Sequence, residues 1–245
     1  MEVYKGVLAD DLEKIDGIAH AEQLTGKLSK TEKMPGYSFN LPASQCKVGS
    51  KLRHIPGTTC FKCYAADTIE WVRAKTIANK TWTGSRYAFN NVRIAMSKRF
   101  EAINNPLWVP AMVWLIRERC AKKQVFYFRW HDSGDIQSIE HLRNICLICE
   151  ALPEVKFWLP TREYTIVRDY LKSYVLPDNL CLRLSASFID GKAPQMLDVQ
   201  TSTVSTGIYP THGGKRCHAK SKGNSCGDCR VCWNKDIPNV DYAEH

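Results

Sequence analysis

The second half of the chain alternates between short runs of aromatic and β-branched residues and longer amphipathic runs. The runs QVFYFRW (124–130), VKFWLP (155–160) and NLCLRLSAS (179–187) predict strands, and the runs at 136–152 and 163–175 predict helices between them. Strands joined by helices in this way lie parallel, because each helix returns the chain to the edge where the strands begin. An open doubly wound sheet and a barrel give the same alternation. We take an α/β fold built as a partial (β/α) barrel as the expected architecture.

The rest of the chain supplies further elements around this alternation. Predicted helices lie at 9–24, 65–80, 85–103 and 106–123, and predicted strands lie at 36–43 and 202–207. The expected divisions are an N-terminal extension (1–34), the partial barrel (35–209) and a cysteine-rich C-terminal segment (210–245). A chain of 245 residues is long enough for one large core with such a small appendage.

Seven of the eleven cysteines fall into two groups. The first cysteine group is Cys46, Cys60 and Cys63, in a loop that follows the predicted strand at 36–43. A [4Fe–4S] cluster held by three cysteines leaves one iron free for a small molecule. The alternative is a structural zinc site completed by His54 or a distant cysteine. The spacing therefore predicts a metal centre without deciding the metal.

The second cysteine group is Cys217, Cys226, Cys229 and Cys232, in KRCHAKSKGNSCGDCRVCWN. Its last three members repeat the C-x2-C spacing with which ferredoxins wrap a cluster. A four-cysteine zinc site is again the alternative, in which His212 or His218 could replace a thiol. Four ligands in one segment can close a site completely, which favours a structural or electron-transfer role.

The four remaining cysteines lie among apolar residues of predicted helices or strands and are expected in the core; they are Cys120, Cys146, Cys149 and Cys181. Because the total is odd, the cysteines cannot all pair within the chain, and metal ligands and buried thiols explain them better. Such usage indicates a reducing, cytoplasmic setting. The first residues do not resemble a secretory signal, and no apolar run is long enough to span a membrane.

Polar residues cluster where three predicted strands end. Ligands of parallel α/β folds bind beside the carboxyl ends of the strands, so these clusters and the first cysteine loop are expected on one face. The candidate catalytic acid or base residues are His131, Asp132 and Asp135, and the candidate cofactor-binding residues are Arg162, Glu163, Ser185 and Ser187. Each has a structural alternative: a helix cap at Ser133 or Asp135, a salt bridge between Arg162 and Glu163, or a simple strand end.

The chain carries a formal net charge of +9, with basic residues concentrated in both cysteine segments. This excess favours an anionic partner, either nucleic acid or a nucleotide substrate. A basic surface with no partner is the alternative. The same positive charge would lower the pKa values of neighbouring thiols, so it fits a metal centre as well.

Five motifs, PGYSFNLPASQC, TTCFKCYA, FRWHDSGDI, LPTRE and GNSCGDCRVCW, together resemble the phage "gene product eighty-eight" family from about residue 35 to residue 235. A looser resemblance is to radical S-adenosylmethionine enzymes, whose partial (β/α) barrel leads from its first strand into a three-cysteine loop. In those enzymes the open iron binds the amino and carboxylate groups of S-adenosylmethionine, and many carry an auxiliary cluster near the C-terminus. This second resemblance implies a catalytic cluster at the first cysteine group and an auxiliary cluster at the second. It also implies S-adenosylmethionine as cofactor and a reductant protein as partner.

The leading hypothesis is an iron–sulfur enzyme of radical S-adenosylmethionine-like type that acts on a nucleotide or a nucleic-acid-related substrate. A rival from another class is a zinc-containing nucleic-acid-binding or host-modulating protein without catalysis. A third is an iron–sulfur protein that senses redox state or transfers electrons. The strand-end polar clusters favour an enzyme, whereas the basic cysteine segments fit all three.

Overall fold

The computed structural model describes residues 10–61, 63–66, 87, 89–195 and 198–244. Its helices are α1 (Gly17–Thr25), α2 (Gly49–Leu52), α3 (Asn90–Ala102), α4 (Trp108–Lys123), α5 (Ile139–Ala151) and α6 (Tyr164–Leu171). Its strands are β1 (Ser29–Lys30), β2 (Tyr37–Phe39), β3 (Tyr127–Trp130), β4 (Lys156–Thr161), β5 (Leu180–Ser185), β6 (Gln200–Ser205), β7 (Lys215–Arg216) and β8 (Asn239–Ala243).

The described strands form one eight-stranded sheet in the order β1-β2-β3-β4-β5-β6-β8-β7. Strand β1 is antiparallel to β2, and every other neighbouring pair in the described sheet is parallel. From β2 to β6 the order in the sheet follows the order in the chain, without the reversal that marks a doubly wound sheet. Edge strands β1 and β7 do not pair among the described residues, so the sheet is not closed. The predicted α/β class with parallel strands is confirmed.

One face of the sheet carries the apolar core. The side chains of Phe128, Trp130, Phe157 and Leu182 are fully buried there and pack with residues of α4, α5 and α6. Successive side chains of a strand point to opposite faces, so an alternating strand can bury one face under helices. Sequential parallel strands with right-handed crossovers place their helices on one side, as seen here.

The other face of the sheet receives the C-terminal segment. Trp158, between two core residues of β4, makes an edge-on contact with Trp233 at 5.2 Å between ring centroids. The indole N–H of Trp233 donates to the carbonyl of Phe128 at 2.9 Å. The face without helices is therefore partly covered by the residues around the second cysteine group.

Most of the predicted elements are confirmed, with shifted ends. The helix predicted at 85–103 is described from Asn90 onward, the one predicted at 9–24 appears as α1, and the one predicted at 65–80 lies largely outside the described residues. The strand predicted at 202–207 is β6, but it is not the last strand, because β7 and β8 follow it. Strand β8 was not predicted from the sequence, because its residues, NVDYA, include a carboxylate at a position where a buried strand normally has an apolar residue.

Elements near both ends of the described chain pack against the sheet region. Ala21 of α1 and Leu115 of α4 belong to one small apolar cluster, and β1 joins the edge of the sheet. The boundaries proposed at 34/35 and 209/210 stay a prediction. All four cysteines assigned to the core from the sequence are buried: Cys120, Cys146, Cys149 and Cys181. Among the described residues, no helix combines the length and the apolar character needed to cross a membrane.

Candidate functional site

A cavity of about 1230 Å³ lies beside the carboxyl ends of strands β2 to β6, and both cysteine groups border it. All three members of the first cysteine group contribute to its wall, and so do Cys217, Cys226 and Cys232 of the second. Cys229 is exposed and is not among the described residues that border the cavity. Two groups about 150 residues apart in the chain thus meet at one space, which the sequence left undecided.

The thiols of Cys46 and Cys60 approach the same point above helix α2. A Cβ atom added to Gly49 would lie 3.7 Å from the Cys46 sulfur and 3.6 Å from the Cys60 sulfur. It would also lie only 3.0 Å from the Cβ of Cys46, closer than most carbon–carbon contacts. The backbone N–H of Cys63 donates to the Cys60 carbonyl at 3.1 Å, which keeps the third thiol in the next turn. Glycine at position 49 therefore leaves the space between two cysteine side chains open.

The loop that carries the first cysteine group crosses the ends of two further strands. One carboxylate oxygen of Glu163 accepts the backbone N–H groups of Lys47 at 3.0 Å and Val48 at 2.9 Å. Farther along the loop, the backbone N–H of Thr59 donates to the Ser187 carbonyl at 2.9 Å. The thirteen residues between Cys46 and Cys60 give the loop enough length to reach from β2 to β5. These bonds fix the loop over the carboxyl edge of the sheet.

Asp135 ties the ends of β3 and β4 together. Its Oδ1 accepts hydrogen bonds from Ile136 N at 2.8 Å and Thr161 Oγ1 at 2.6 Å, and its Oδ2 accepts one from Arg162 N at 3.0 Å. Burial raises the pKa of Asp135 to about 6, although these donors act against the rise. The carboxyl group borders the cavity and is buried, so it can hold or release a proton near neutral pH.

The predicted helix cap differs from the observed one. Helix α5 begins after Ser138, whose side-chain oxygen accepts the backbone N–H of His141 at 3.0 Å. Neither Ser133 nor Asp135 has this role. The helix was predicted to start at residue 136 and starts at Ile139, because residues 131–138 form the connection that follows β3.

Asp132 forms a charged centre in the cavity wall. Its Oδ1 lies 2.8 Å from Arg129 Nη1, and its Oδ2 accepts a hydrogen bond from the Tyr87 hydroxyl at 2.6 Å. The Arg129 guanidinium stacks over the Trp158 ring at 4.3 Å. Burial and the Asp132 charge raise the pKa of Tyr87, so the phenol remains a donor. The sequence reading missed Arg129 and Trp158, which lie within strands rather than at strand ends.

His131 is placed differently from the other two catalytic candidates. The residue borders the cavity and has a left-handed backbone with φ of 57°, but its ring packs 5.5 Å from the His141 ring and 6.2 Å from Trp130. Burial lowers its pKa well below 6.5, which keeps the imidazole neutral. Neither ring nitrogen has a hydrogen-bond partner among the described residues. The ring therefore lies in the core under α5, whereas the carboxylates of Asp132 and Asp135 lie in the cavity wall.

The candidate cofactor-binding residues lie around the end of β5. Arg162 Nε donates to the Ala186 carbonyl at 3.2 Å, which holds the guanidinium beside the cavity. The Ser185 hydroxyl borders the cavity and accepts a hydrogen bond from Ser202 Oγ at 3.0 Å. Ser187 is not among the described residues that border the cavity, and its carbonyl serves the first cysteine loop instead. No ion pair joins Arg162 to Glu163 in the described part of the chain.

Arg183 attaches the C-terminal segment to the sheet. Its side chain is fully buried on β5 and donates to five backbone carbonyls. The acceptors are Cys232 at 3.1 Å, Thr201 at 3.2 Å, Ile237 at 2.9 Å, Val231 at 3.1 Å and Asn234 at 2.7 Å. One guanidinium thus satisfies five carbonyls around the last cysteine. Sequence reasoning missed it, because an arginine in a strand pattern reads as a solvent-facing residue.

A second buried charged residue, Asp241, positions Cys217, the first member of the second cysteine group. The carboxylate of Asp241 accepts hydrogen bonds from Thr203 Oγ1 at 2.8 Å and Ser205 Oγ at 2.7 Å, and it pairs with Arg216. The carbonyl of the same residue accepts the backbone N–H of Cys217 at 2.7 Å. Strand β8 therefore positions Cys217, and Tyr242 on that strand has its hydroxyl 3.1 Å from the Cys232 sulfur.

The thiols are chemically suited to a metal centre but are not preorganised around one ion. Burial raises the pKa values of Cys46 and Cys226, and it raises the pKa of Cys232 to about 12. The lowering of thiol pKa values expected from the neighbouring basic residues is therefore not found at these three cysteines. Among the described residues, no group of three or more His, Cys, Asp or Glu side chains is arranged to hold a metal ion. Thiolates are the donors that zinc and iron–sulfur clusters both take, and a cluster spreads its ligands over several irons. The first group thus matches such a centre by donor type alone.

The comparisons with known proteins gave one match. The sequence model of the family described as Gene product 88 matches residues 14–217. The matched range contains the first cysteine group and ends at Cys217. Comparison with curated proteins gave no match, and comparison with solved structures gave none. The match confirms the resemblance to this family, and the first four motifs lie within the matched range, whereas GNSCGDCRVCW lies beyond its end. The resemblance to radical S-adenosylmethionine enzymes has no support from these comparisons.

Proposed function

The chain belongs to the Gene product 88 family, and we propose that it is an iron–sulfur protein that acts as a radical S-adenosylmethionine-like enzyme. The observation that carries this proposal is the shared cavity: thiols of both cysteine groups border one space at the carboxyl ends of parallel strands. A cavity of about 1230 Å³ exceeds the usual range for a single small ligand, so a cofactor and a substrate can share it.

The first cysteine group would hold the catalytic centre. Cys46, Cys60 and Cys63 would hold a [4Fe–4S] cluster, which, once reduced by a partner protein, would supply the electron for cleavage of S-adenosylmethionine. The chain's own part is positional: Glu163 fixes the loop at Lys47 and Val48, and Gly49 keeps the space between thiols open. Arg162 and Asp132 border the same space and would orient the charged groups of the cofactor.

The second cysteine group would hold an auxiliary centre across the cavity. Three of its thiols face the cavity, and the fourth, Cys229, comes from an exposed turn that follows Cys226 directly. A site with four cysteine ligands is closed, which suits electron transfer or structural support rather than substrate binding. The carbonyl bonds of Arg183 hold the segment in place.

The sequential order of the parallel strands supports the finer assignment of a radical S-adenosylmethionine-type partial barrel. In that architecture the cysteine loop follows the first parallel strand, and here it follows β2, the first strand of the parallel series. The cytoplasm is the compartment that we propose, because no disulfide bond joins any of the eleven cysteines, all of which are among the described residues.

A cleavage assay tests the enzymatic proposal directly. Anaerobically purified full-length protein is reduced in the presence of S-adenosylmethionine, and release of 5′-deoxyadenosine is measured. We expect Cys63→Ala to abolish release, Cys226→Ala to reduce it, and Cys120→Ala to leave it unchanged, because Cys120 is buried outside both groups. Protein that carries iron but does not cleave S-adenosylmethionine would instead favour the hypothesis of a redox-sensing or electron-transfer protein. Colourless zinc protein would favour the nucleic-acid-binding reading.

A further inference from the structure

The mouth of the cavity is basic. Among the described charged residues that both border the cavity and are exposed, four are lysines and one is Glu32; the lysines are Lys27, Lys30, Lys33 and Lys220. Three of the lysines lie on or beside β1, and Lys220 lies in the turn before Cys226. In the described part of the chain, no ion pair is formed by Lys30 or Lys33. An anion that enters the cavity therefore meets positive charge first.

Positive charge continues into the cavity. Arg129 and Arg162 border its interior, and the Nε of Arg129 is buried without a hydrogen-bond partner among the described residues. The two carboxylates nearest to them already have partners: Asp132 binds Arg129 and Tyr87, and Asp135 accepts three hydrogen bonds. Arg162, by contrast, forms no ion pair with any described residue, so its guanidinium is the interior cation that can meet a further negative charge.

An aromatic surface accompanies this charge. Tyr64 is 45% exposed, borders the cavity directly after the first cysteine group, and lies 5.6 Å from the Tyr87 ring. Phe61 lies in the same loop, is 43% exposed and also borders the cavity. Exposed aromatic rings beside basic residues are the combination that binds nucleotides, because bases stack on rings while phosphates meet lysines.

From these features we infer that the substrate of the proposed function is a nucleotide that enters with its phosphates at Lys30, Lys33 and Lys220 and its base against Tyr64. The chemical conversion of this nucleotide depends on the proposed function, whereas its binding does not. The phosphates could belong to a free nucleotide or to a single-stranded nucleic acid, since both present the same groups to the lysines.

The test compares two double variants with equal charge change. Lys30→Glu/Lys33→Glu reverses charge at the mouth, and Lys122→Glu/Lys156→Glu reverses it on exposed lysines at the opposite, amino edge of the strands. Binding of a short fluorescein-labelled oligodeoxythymidylate is followed by anisotropy over a range of salt concentrations, with ATP as the unlabelled competitor. Both variants are first checked for unchanged circular dichroism and iron content.

We expect the mouth variant to bind at least tenfold more weakly than the control variant, with a salt slope reduced by about 1.4, or about 0.7 for each lysine. Tyr64→Ala should weaken binding by about tenfold, and Tyr64→Phe should retain it. If ATP displaces the labelled oligonucleotide at concentrations near the dissociation constant of ATP, the ligand is a free nucleotide. If ATP does not displace it, the ligand is a single-stranded nucleic acid. Equal binding by the two double variants, or absence of binding, would overturn the inference. Wild-type protein that binds the oligonucleotide but carries no iron would instead refute the proposed function and leave the binding inference standing.

Discussion

The carboxylate of Glu163 accepts the backbone N–H of Val48 at 2.9 Å, although 115 residues separate the two in the chain. The bond attaches the first cysteine loop to the connection between β4 and α6. From the sequence, Glu163 was predicted to bind the amino group of a cofactor. Its position shows a role in holding the loop, whereas its binding to a cofactor stays a prediction.

Replacement of Glu163 therefore tests the anchoring of the loop. Glu163→Ala removes a buried carboxylate and leaves two backbone donors without their acceptor, which should lower the free energy of unfolding by about 2–4 kcal/mol. Glu163→Gln keeps a carbonyl oxygen and should lose less. Urea unfolding together with iron analysis checks both effects: we expect Glu163→Ala to lose the iron of the first group alone. Full iron content in Glu163→Ala would contradict the anchoring role.

Gly49 offers a second test at the same loop. A valine at this position would fill the space between the Cys46 and Cys60 thiols, because even a Cβ atom lies within 3.7 Å of both sulfurs. We expect Gly49→Val to reduce iron incorporation by about half, with the second group unaffected. Lys51→Val introduces the same side chain at an exposed position of α2 and should keep all the iron. Equal iron contents in the two variants would show that the space is not needed.

Arg183 holds the C-terminal segment against the sheet through hydrogen bonds. Arg183→Met removes the donor to five carbonyls, all of which lose a charge-assisted partner. We expect a loss of at least about 4 kcal/mol in unfolding free energy, near the upper end for single substitutions. Limited proteolysis should then cut within 210–245 before the rest of the chain. Arg168→Met, at an exposed surface ion pair, should change stability by less than about 0.5 kcal/mol.

The buried histidines predict a dependence of stability on pH. Burial lowers the pKa of His141 to about 3 and that of His131 well below 6.5. Below about pH 6.5 the unfolded chain binds protons at these positions while the folded chain does not, so stability falls as the pH falls toward 3. Asp135, whose pKa is raised to about 6, acts in the opposite sense below that pH.

Urea unfolding of the wild type and His141→Gln at several pH values isolates the His141 contribution. Both proteins contain Asp135, so its effect cancels in the comparison. Below about pH 6 the slope of unfolding free energy against pH should be smaller in the variant by up to about 1.4 kcal/mol per pH unit. Parallel slopes would show that His141 is not buried in its neutral form.

The sequence was sufficient to predict the elements that follow regular patterns. The alternation in YFRW places Phe128 and Trp130 on the core face, and the runs at β4 and β5 behave in the same way. Polar residues at strand ends also reached the expected edge, since parallel strands bring their carboxyl ends together. These features depend only on local periodicity and on the direction of the strands.

Features that depend on distant partners could not be predicted. Arg183 and Asp241 are charged residues that sequence patterns assign to the surface, but partners far along the chain allow their burial. The catalytic role of His131 stays a prediction, but its ring contacts the His141 ring at 5.5 Å, which the sequence around it did not indicate. Each outcome is decided by tertiary contacts rather than by the residue's neighbours in sequence.

The central claim is that both cysteine groups hold iron–sulfur clusters at one cavity. The most direct measurement is the visible absorption of anaerobically purified protein, with iron, sulfide and zinc counted per chain. The account predicts a brown protein with about eight irons, four for each [4Fe–4S] cluster, that falls to about four in Cys46→Ala/Cys60→Ala/Cys63→Ala. A colourless protein with about two zinc ions would contradict it.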